Sequence, residues 1–398
     1  MKPKSGLTRF ENCYILRDSK IIKEDLLIRD GKIENPEKVF YVEHLIPDET
    51  VDCGGLLIAP GFIDIQINGG WGVDFSYDSE SVEEGIGKVS KGLLAHGVTS
   101  FCPTMVTSDV EKYHTILPKI KQTAGGKHGA TVLGVHLEGP FIALEKKGAH
   151  MEKYIRIPEK GLETVKEVYG SLKNVVIITI ASELPGATDA IKDLTDLGIK
   201  VALGHSTASL AQGEEAIACG ANLITHLFNA MLPFHHRDPG LVGLLASLTK
   251  KQVYYGIISD GIHTHPAALR IASRTNPKGL VLVSDAVAAM GLADGSYRIG
   301  PQLVTVEGGH AYVTGTKVLC GSTSALDKCV ATFKQSLDCS MEYALEAASL
   351  HPAKALGIDH KKGRLNYDCD ADFVIIYPDS LKIASTWIAG ECVYKCDQ

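Results

Sequence analysis

Along the middle of the chain, short runs of apolar and β-branched residues alternate with longer stretches whose apolar positions recur at helical spacing. The runs are Leu56–Ile67, Val98–Phe101, Thr131–Leu137, Val175–Ala181, Lys200–Leu203, Asn222–Thr225, Val253–Ile258 and Leu280–Val283. Each is apolar almost throughout, as a parallel strand buried on both faces must be. Between them lie amphipathic segments such as Ser81–His96, Gly161–Leu172, Ala187–Leu197 and Ser209–Cys219. Gly97, Gly198 and Gly220 stand where three of these should end, the place where a helix favours a left-handed residue. Eight such alternations in ~250 residues predict an α/β fold, a closed (β/α)8 TIM barrel over residues 56–359.

The two ends carry a different pattern. Glu11–Lys32 reads as short strands joined by turns, and Arg29-Asp30-Gly31-Lys32 holds the Asp-Gly pair of a tight hairpin. In the tail, Phe373–Tyr377 and Ser385–Ile388 are strand-like, punctuated by Pro378-Asp379 and Ala389-Gly390. No long helical pattern fits there. Residues 1–55 and 360–398 are therefore predicted to pair into one small, discontinuous β-sandwich domain beside the barrel.

Composition narrows the function classes. Hydrophobic residues are 45% and charged residues 22%, ordinary for a soluble globular protein. A net charge of −7 excludes a general nucleic-acid binder, which needs a basic surplus, but leaves room for local cations around one phosphate. No apolar run reaches the ~20 residues of a membrane helix. Met1–Glu11, with Lys2, Lys4 and Arg9, lacks the apolar stretch of a secretory leader. Ten cysteines are scattered with no paired C-x-x-C framework, which reads as reduced, mostly buried thiols and a cytoplasmic setting.

The chemistry is concentrated where the predicted strands end. The third run stops at Glu138-Gly139-Pro140, the fifth at Gly204-His205-Ser206 and the sixth at Thr225-His226-Leu227. The seventh leads into Asp260-Gly261-Ile262-His263 and the eighth into Ser284-Asp285-Ala286. Side chains at the C-terminal ends of barrel strands converge on one mouth, so a Glu, two His and an Asp placed there suit three metal ligands and one base. Singly, each has a structural reading: a hydrogen-bonded core His, a turn-capping Glu138, an N-capping Asp285. Their joint placement favours the metal site. His44, His96, His114, His128, His310 and His360 have no such setting, and Gly69-Gly70-x-Gly72 reads as a turn rather than a phosphate loop.

These residues also carry a family resemblance, which covers nearly the whole chain. Pro60-Gly61-Phe62-Ile63-Asp64, Gly363-Arg364-Leu365 and Ala371-Asp372-Phe373-Val374 resemble the opening and closing strands of the amidohydrolase superfamily. More specific are His136-Leu137-Glu138-Gly139-Pro140-Phe141, Lys147-Gly148-Ala149-His150, Gly204-His205-Ser206 and Thr225-His226-Leu227-Phe228-Asn229-Ala230-Met231. With Asp260-Gly261-Ile262-His263 and Val283-Ser284-Asp285-Ala286, the set resembles the N-acetylglucosamine-6-phosphate deacetylases. Most of the superfamily has His-x-His at the end of the first strand, where this chain has Gln66-Ile67-Asn68. Neutral amides are poor substitutes for imidazole at a transition metal, so one divalent ion is expected, zinc by default, held by Glu138, His205 and His226.

The resemblance implies removal of the N-acetyl group from N-acetylglucosamine 6-phosphate. Asp285 would serve as general base and then acid, with His150 assisting at the acyl carbonyl. It further implies substrate contacts from Ala149, His150, Asn229, Ala230 and His263, and from the loop Leu319-Cys320-Gly321. Cys320 stands where relatives often carry Ala and is not expected to act as a nucleophile. Arg237, in Phe234-His235-His236-Arg237-Asp238, would grip the phosphate with its planar fork, from a neighbouring subunit of a homodimer. Two rivals are weighed. Dihydroorotases, hydantoinases and aminoacylase-like enzymes usually need the His-x-His pair and often a lysine after the fourth strand, where Ile180-Ala181-Ser182-Glu183 offers none. A catalytically silent scaffold would lack ligands or base, and all four are here.

Overall fold

The computed structural model describes residues 6–77, 81–299 and 302–397, so Lys2 and Lys4 of the leader reading lie outside the described residues. The barrel strands are β1 (Phe62–Ile67), β2 (Val98–Val106), β3 (Val135–Glu138), β4 (Val175–Ile180), β5 (Lys200–Leu203), β6 (Leu223–Ile224), β7 (Tyr254–Ile258) and β8 (Leu280–Val283). Each pairs in parallel with the next. Between β8 and β1 the ring is closed by single bonds: Asp285 N–H donates to Gln66 O at 2.9 Å and Asn68 N–H to Ala286 O at 2.7 Å.

Burial on two sides explains the unbroken apolar runs. Ile63, Ile65, Cys102, Ile177, Ala202, Leu223, Ile258, Val281 and Val283 pack together as one cluster. Alternate strand residues such as Val201, Leu203 and Leu282 join a second cluster with helix side chains such as Ala190, Ile191, Ala216 and Ile217. The predicted helices form at Val82–Leu93, Leu162–Tyr169, Ala187–Asp196 and Leu210–Cys219. Ser209 and Gln212 make a reciprocal capping box at the start of the last.

Two features differ from the sequence reading. The run Leu56–Ile67 is two strands: Leu57–Pro60 pairs outside the barrel with Tyr14–Arg17 and Phe373–Ile376, and only β1 enters the ring. Gly61 makes the junction, where a Cβ would lie 2.2 Å from Thr99 Oγ1. Beyond β8, strands Gly295–Ile299, Gln302–Glu307, His310–Val313 and Leu319–Ser322 form an antiparallel sheet that the alternation did not announce. The visible signal was Gly308-Gly309 between two β-branched runs.

The terminal segments do share sheets. A four-stranded sheet holds Thr8–Glu11, Leu26–Arg29, Lys32–Glu34 and Glu49–Asp52. A six-stranded one joins Tyr14–Arg17, Lys20–Lys23 and Leu57–Pro60 to Phe373–Ile376, Ile383–Ile388 and Glu391–Lys395. Phe10 packs edge-on against Phe373 and Trp387, at ring separations of 5.2 and 4.9 Å. At the hairpin, Asp30 (φ 51°) and Gly31 (φ 73°) are both left-handed, the backbone that a two-residue turn with native twist requires.

Candidate active site

At the C-terminal mouth of the barrel, three strand ends turn through strained backbone. His205 (φ 47°), His226 (φ 28°) and Asp285 (φ 46°) are all left-handed without being glycine, a conformation costing about 1–3 kcal/mol each. The turn throws each side chain over the barrel axis rather than out toward the helices. All three, with Glu138 at the end of β3, line one cavity of about 240 Å³.

The polar atoms there converge closely. Glu138 Oε1 lies 3.0 Å from His205 Nε2 and 2.9 Å from His226 Nε2, and the two nitrogens are 3.1 Å apart. Ligands held tetrahedrally at ~2.1 Å from a metal sit ~3.4 Å apart, so a slight opening of this triangle admits an ion. His205 donates from Nδ1 to Lys146 O at 2.7 Å, which leaves its Nε2 lone pair for the centre. Glu138, His150 and His205 also bring ligand atoms within 4.8 Å of one another, but His226 is nearer to Glu138 and His205 than that. His150 is otherwise engaged, as shown below. Two imidazoles and a carboxylate suit a borderline divalent cation.

Charge is tightly balanced in this buried cluster. Burial pushes the Glu138 carboxyl up, but hydrogen bonds and charge from His205 and His226 outweigh it and hold the group well below the usual range. Burial lowers His226, yet its hydrogen bond to Glu138 and the charges of Glu138 and Asp285 raise it to about 9. Asp285 is pushed up to about 7, first by burial and then by the Glu138 charge, with His226, His263 and Asn68 pulling the other way. A carboxyl poised there exchanges protons near neutral pH.

Gln66 and Asn68, the two amides where β1 ends, serve these carboxylates. Gln66 Nε2 donates to Glu138 Oε2 at 3.1 Å and to Asp285 Oδ1 at 3.3 Å, and Asn68 Nδ2 donates to Asp285 Oδ1 at 2.7 Å. His150 turns Nδ1 toward Thr107, accepting from its N–H at 3.4 Å with Thr107 Oγ1 at 2.7 Å. Burial first, then the His205 charge, lowers His150 to about 3, so the ring is neutral and its proton sits on Nε2, on the cavity side. His263 Nδ1 is 2.6 Å from Asp260 Oδ2, a contact that fixes its ring orientation.

Of the other residues singled out from sequence, Ala149, Asn229, Ala230, Leu319, Cys320 and Gly321 line the same cavity. Burial pushes the Cys320 thiol up to about 11, which keeps it protonated and unreactive. Arg237 does not line the cavity. It sits exposed in the tight turn bridged by His235 and Asp238.

The comparisons agree with this geometry. A model described as "Amidohydrolase family" matches residues 57–393. The chain belongs to the amidohydrolase family. It is 54% identical over 399 residues to the N-acetylglucosamine-6-phosphate deacetylase of Bos taurus, covering 99% of this chain and 97% of that protein. Among solved structures, the N-acetylglucosamine-6-phosphate deacetylase from Pasteurella multocida superposes with a TM-score of 0.85 at 29% identity, covering 97% of this chain and 99% of that one. The Mycobacterium smegmatis deacetylase, in complex with N-acetyl-D-glucosamine-6-phosphate, gives 0.82 at 28%, covering 98% and 100%.

Several working residues of this amidohydrolase went unread in its sequence. Thr107, which sets the His150 tautomer, lies at the end of the long second strand with nothing to mark it. Glu183, noted only for not being lysine, accepts from Ser206 Oγ at 2.6 Å and Thr207 Oγ1 at 2.9 Å, bracing the loop after His205. Asp74 and Tyr77 reach the cavity wall because Trp71 (φ 50°) and Gly72 (φ 85°) turn the chain back on itself. His136 is a core group: its Nδ1 lies 3.0 Å from Ile65 O and its Nε2 2.8 Å from Thr179 Oγ1.

Proposed function

We propose that this amidohydrolase hydrolyses the N-acetyl group of N-acetylglucosamine 6-phosphate, giving glucosamine 6-phosphate and acetate, with the barrel that begins at Phe62 and runs to about residue 359 as the catalytic unit. The reading rests on one observation above all: a buried carboxyl raised toward neutrality, Asp285, sharing the Gln66 amide with Glu138 of a Glu-His-His cluster. Glu138, His205 and His226 would hold a single divalent ion, zinc by choice of donors, which supplies Lewis acidity toward water and the acyl oxygen.

The chain's own groups do the rest. Asp285 removes a proton from the attacking water and returns it to the leaving nitrogen, the two-way transfer that one positioned carboxyl can make. The Nε2–H of neutral His150 donates to the acyl oxygen as negative charge builds there. Asn68 and Gln66 hold the Asp285 carboxyl in place, while Asn229, Ala230 and His263 orient the sugar phosphate. Leu319, Cys320 and Gly321 close over the ring. Arg237, exposed and not among the residues lining the cavity of its own chain, completes the phosphate site of a second copy in a homodimer. No described helix is long and apolar enough to cross a membrane, and the buried thiols suit the reducing cytoplasm.

The direct test is acetate release from N-acetylglucosamine 6-phosphate and from unphosphorylated N-acetylglucosamine, using metal-assayed protein. Rapid release from the phosphorylated sugar supports the reading, and stoichiometric metal without release refutes the substrate. Arg237→Ala should raise KM for the phosphorylated sugar by roughly 10–100-fold, the loss of one charge-assisted pair of about 1.5–3 kcal/mol. The unphosphorylated sugar should be unaffected, and equal losses on both would remove Arg237 from the phosphate site.

Metal loading should also release protons. His226, raised to about 9, is protonated at pH 7.5 without metal and must be neutral to ligate, so about one proton leaves per ion bound. Calorimetry in buffers of different ionisation enthalpy reads that proton. The release should fade above pH 9, and heats that do not depend on the buffer at pH 7.5 would contradict it.

A further inference from the structure

Away from the cleft, the chain crosses from one sheet of the small sandwich to the other twice, side by side. Thr8–Glu11 runs parallel to Glu49–Asp52 in the four-stranded sheet, and their continuations Tyr14–Arg17 and Leu57–Pro60 run parallel in the six-stranded one. At the shared corner, Cys53 N–H donates to Glu11 O at 3.0 Å, Gly55 N–H to Asn12 O at 2.7 Å and Tyr14 N–H to Leu56 O at 3.0 Å. Asn12 (φ 53°), Gly54 (φ 60°) and Gly55 (φ 80°) are left-handed, so both chains bend sharply there.

Cys13 and Cys53 sit at that corner with their thiols in hydrogen-bond contact. They are 2% and 6% exposed, yet the neighbouring Gly54 is open to solvent, so a modest local opening admits a small reagent. Both cysteines lie just beyond the paired runs, on adjoining crossings of the chain, and pack in one buried cluster, the side-by-side placement that a disulfide needs. The contact with Cys53 lowers the pKa of Cys13 and raises that of Cys53, which makes Cys13 the nucleophile of the pair.

We propose that Cys13 and Cys53 are a redox-active dithiol that low-molecular-weight disulfides convert to an intramolecular disulfide. The Cys13 thiolate attacks one sulfur of the reagent, forming a mixed disulfide and expelling one thiolate. Cys53, losing its proton, then attacks the Cys13 sulfur, forming the Cys13–Cys53 bond and expelling the second thiolate. Two protein thiols are oxidised, one small disulfide is reduced to two thiols, and the two protons pass to those leaving groups. The bond clamps the corner from which Leu57–Pro60 passes through Gly61 into β1, the strand that carries Gln66 and ends beside Asn68.

The test uses the full chain under native conditions. Reduced protein is incubated with excess glutathione disulfide and quenched in acid. Remaining thiols are then alkylated in denaturant and the peptides mapped by mass. The Cys13 and Cys53 peptides should be joined in most molecules, the link should be undone by dithiothreitol, and Cys13→Ser should leave Cys53 alkylated. The bridged form should unfold about 5 °C higher than the reduced form. Recovery of both residues as alkylated thiols, a lasting mixed disulfide at either, or a bridge to another cysteine overturns the proposal. So does a link that forms only after denaturation. Should Cys13→Ser fail to fold, the wild-type peptide map decides by itself.

Discussion

Asp285→Asn is expected to lower kcat for acetate release by about 10²–10⁴-fold, the usual worth of a positioned acid–base group. KM should stay near wild type. The asparagine keeps the size and one acceptor oxygen, so it can still receive the Asn68 amide that holds Asp285 Oδ1 at 2.7 Å. What it loses is the capacity to take and return a proton. Metal content, measured by elemental analysis on the same sample, should be unchanged, because Asp285 is joined to the cluster through the shared Gln66 amide rather than as one of the three ligands. The acidic limb of the pH–rate profile should vanish with the carboxyl, which burial and the Glu138 charge push up in the metal-free site. Its sign follows from the role: a base must be ionised, so wild-type activity falls as the pH drops through the pKa of the carboxyl. A variant with undiminished kcat, or one that has lost its metal, would remove Asp285 from the proton-transfer role.

Glu138→Gln should have the second large effect, acting through metal retention. Glu138 is the hub of the cluster: Oε1 meets both histidine nitrogens and Oε2 accepts from Gln66. An amide there offers a neutral, weaker oxygen donor and withdraws the charge that keeps His226 protonated before loading. Metal affinity should fall by at least about 100-fold, beyond the ~10–100-fold typical of losing an outer hydrogen-bond partner. Activity should fall with it and return in part at high metal concentration. Equilibrium dialysis against a chromophoric chelator reads the affinity. Wild-type retention of the ion would mean that the binding centre lies elsewhere.

The fold was legible because burial on two faces leaves a plain trace. Strands such as Val175–Ile180 are apolar at every position but Thr179, and glycines such as Gly198 close the helices between them. The convergence of Glu138, His205, His226 and Asp285 in one cavity followed from barrel geometry, which sends strand ends to one mouth. What stayed hidden were interactions with no sequence period. Thr107 matters through one ring nitrogen, and Glu183 through two hydroxyls on a neighbouring loop. Leu56–Ile67 looked like one strand because both halves are buried, although on different sheets. The antiparallel sheet after β8 broke the alternation on which the barrel reading depended, and Arg237 was placed by analogy rather than by any local pattern.

The bond from Asp285 N–H to Gln66 O helps close the last seam of the barrel, so this residue belongs to the hoop as well as to the chemistry. Hoop and chemistry use different parts of it, main chain and side chain. Position 285 should therefore accept exchanges of side chain that silence turnover while the barrel stays shut. Adding or removing a single residue between Val283 and Val287 would instead shift the seam by one place and pull the staves apart.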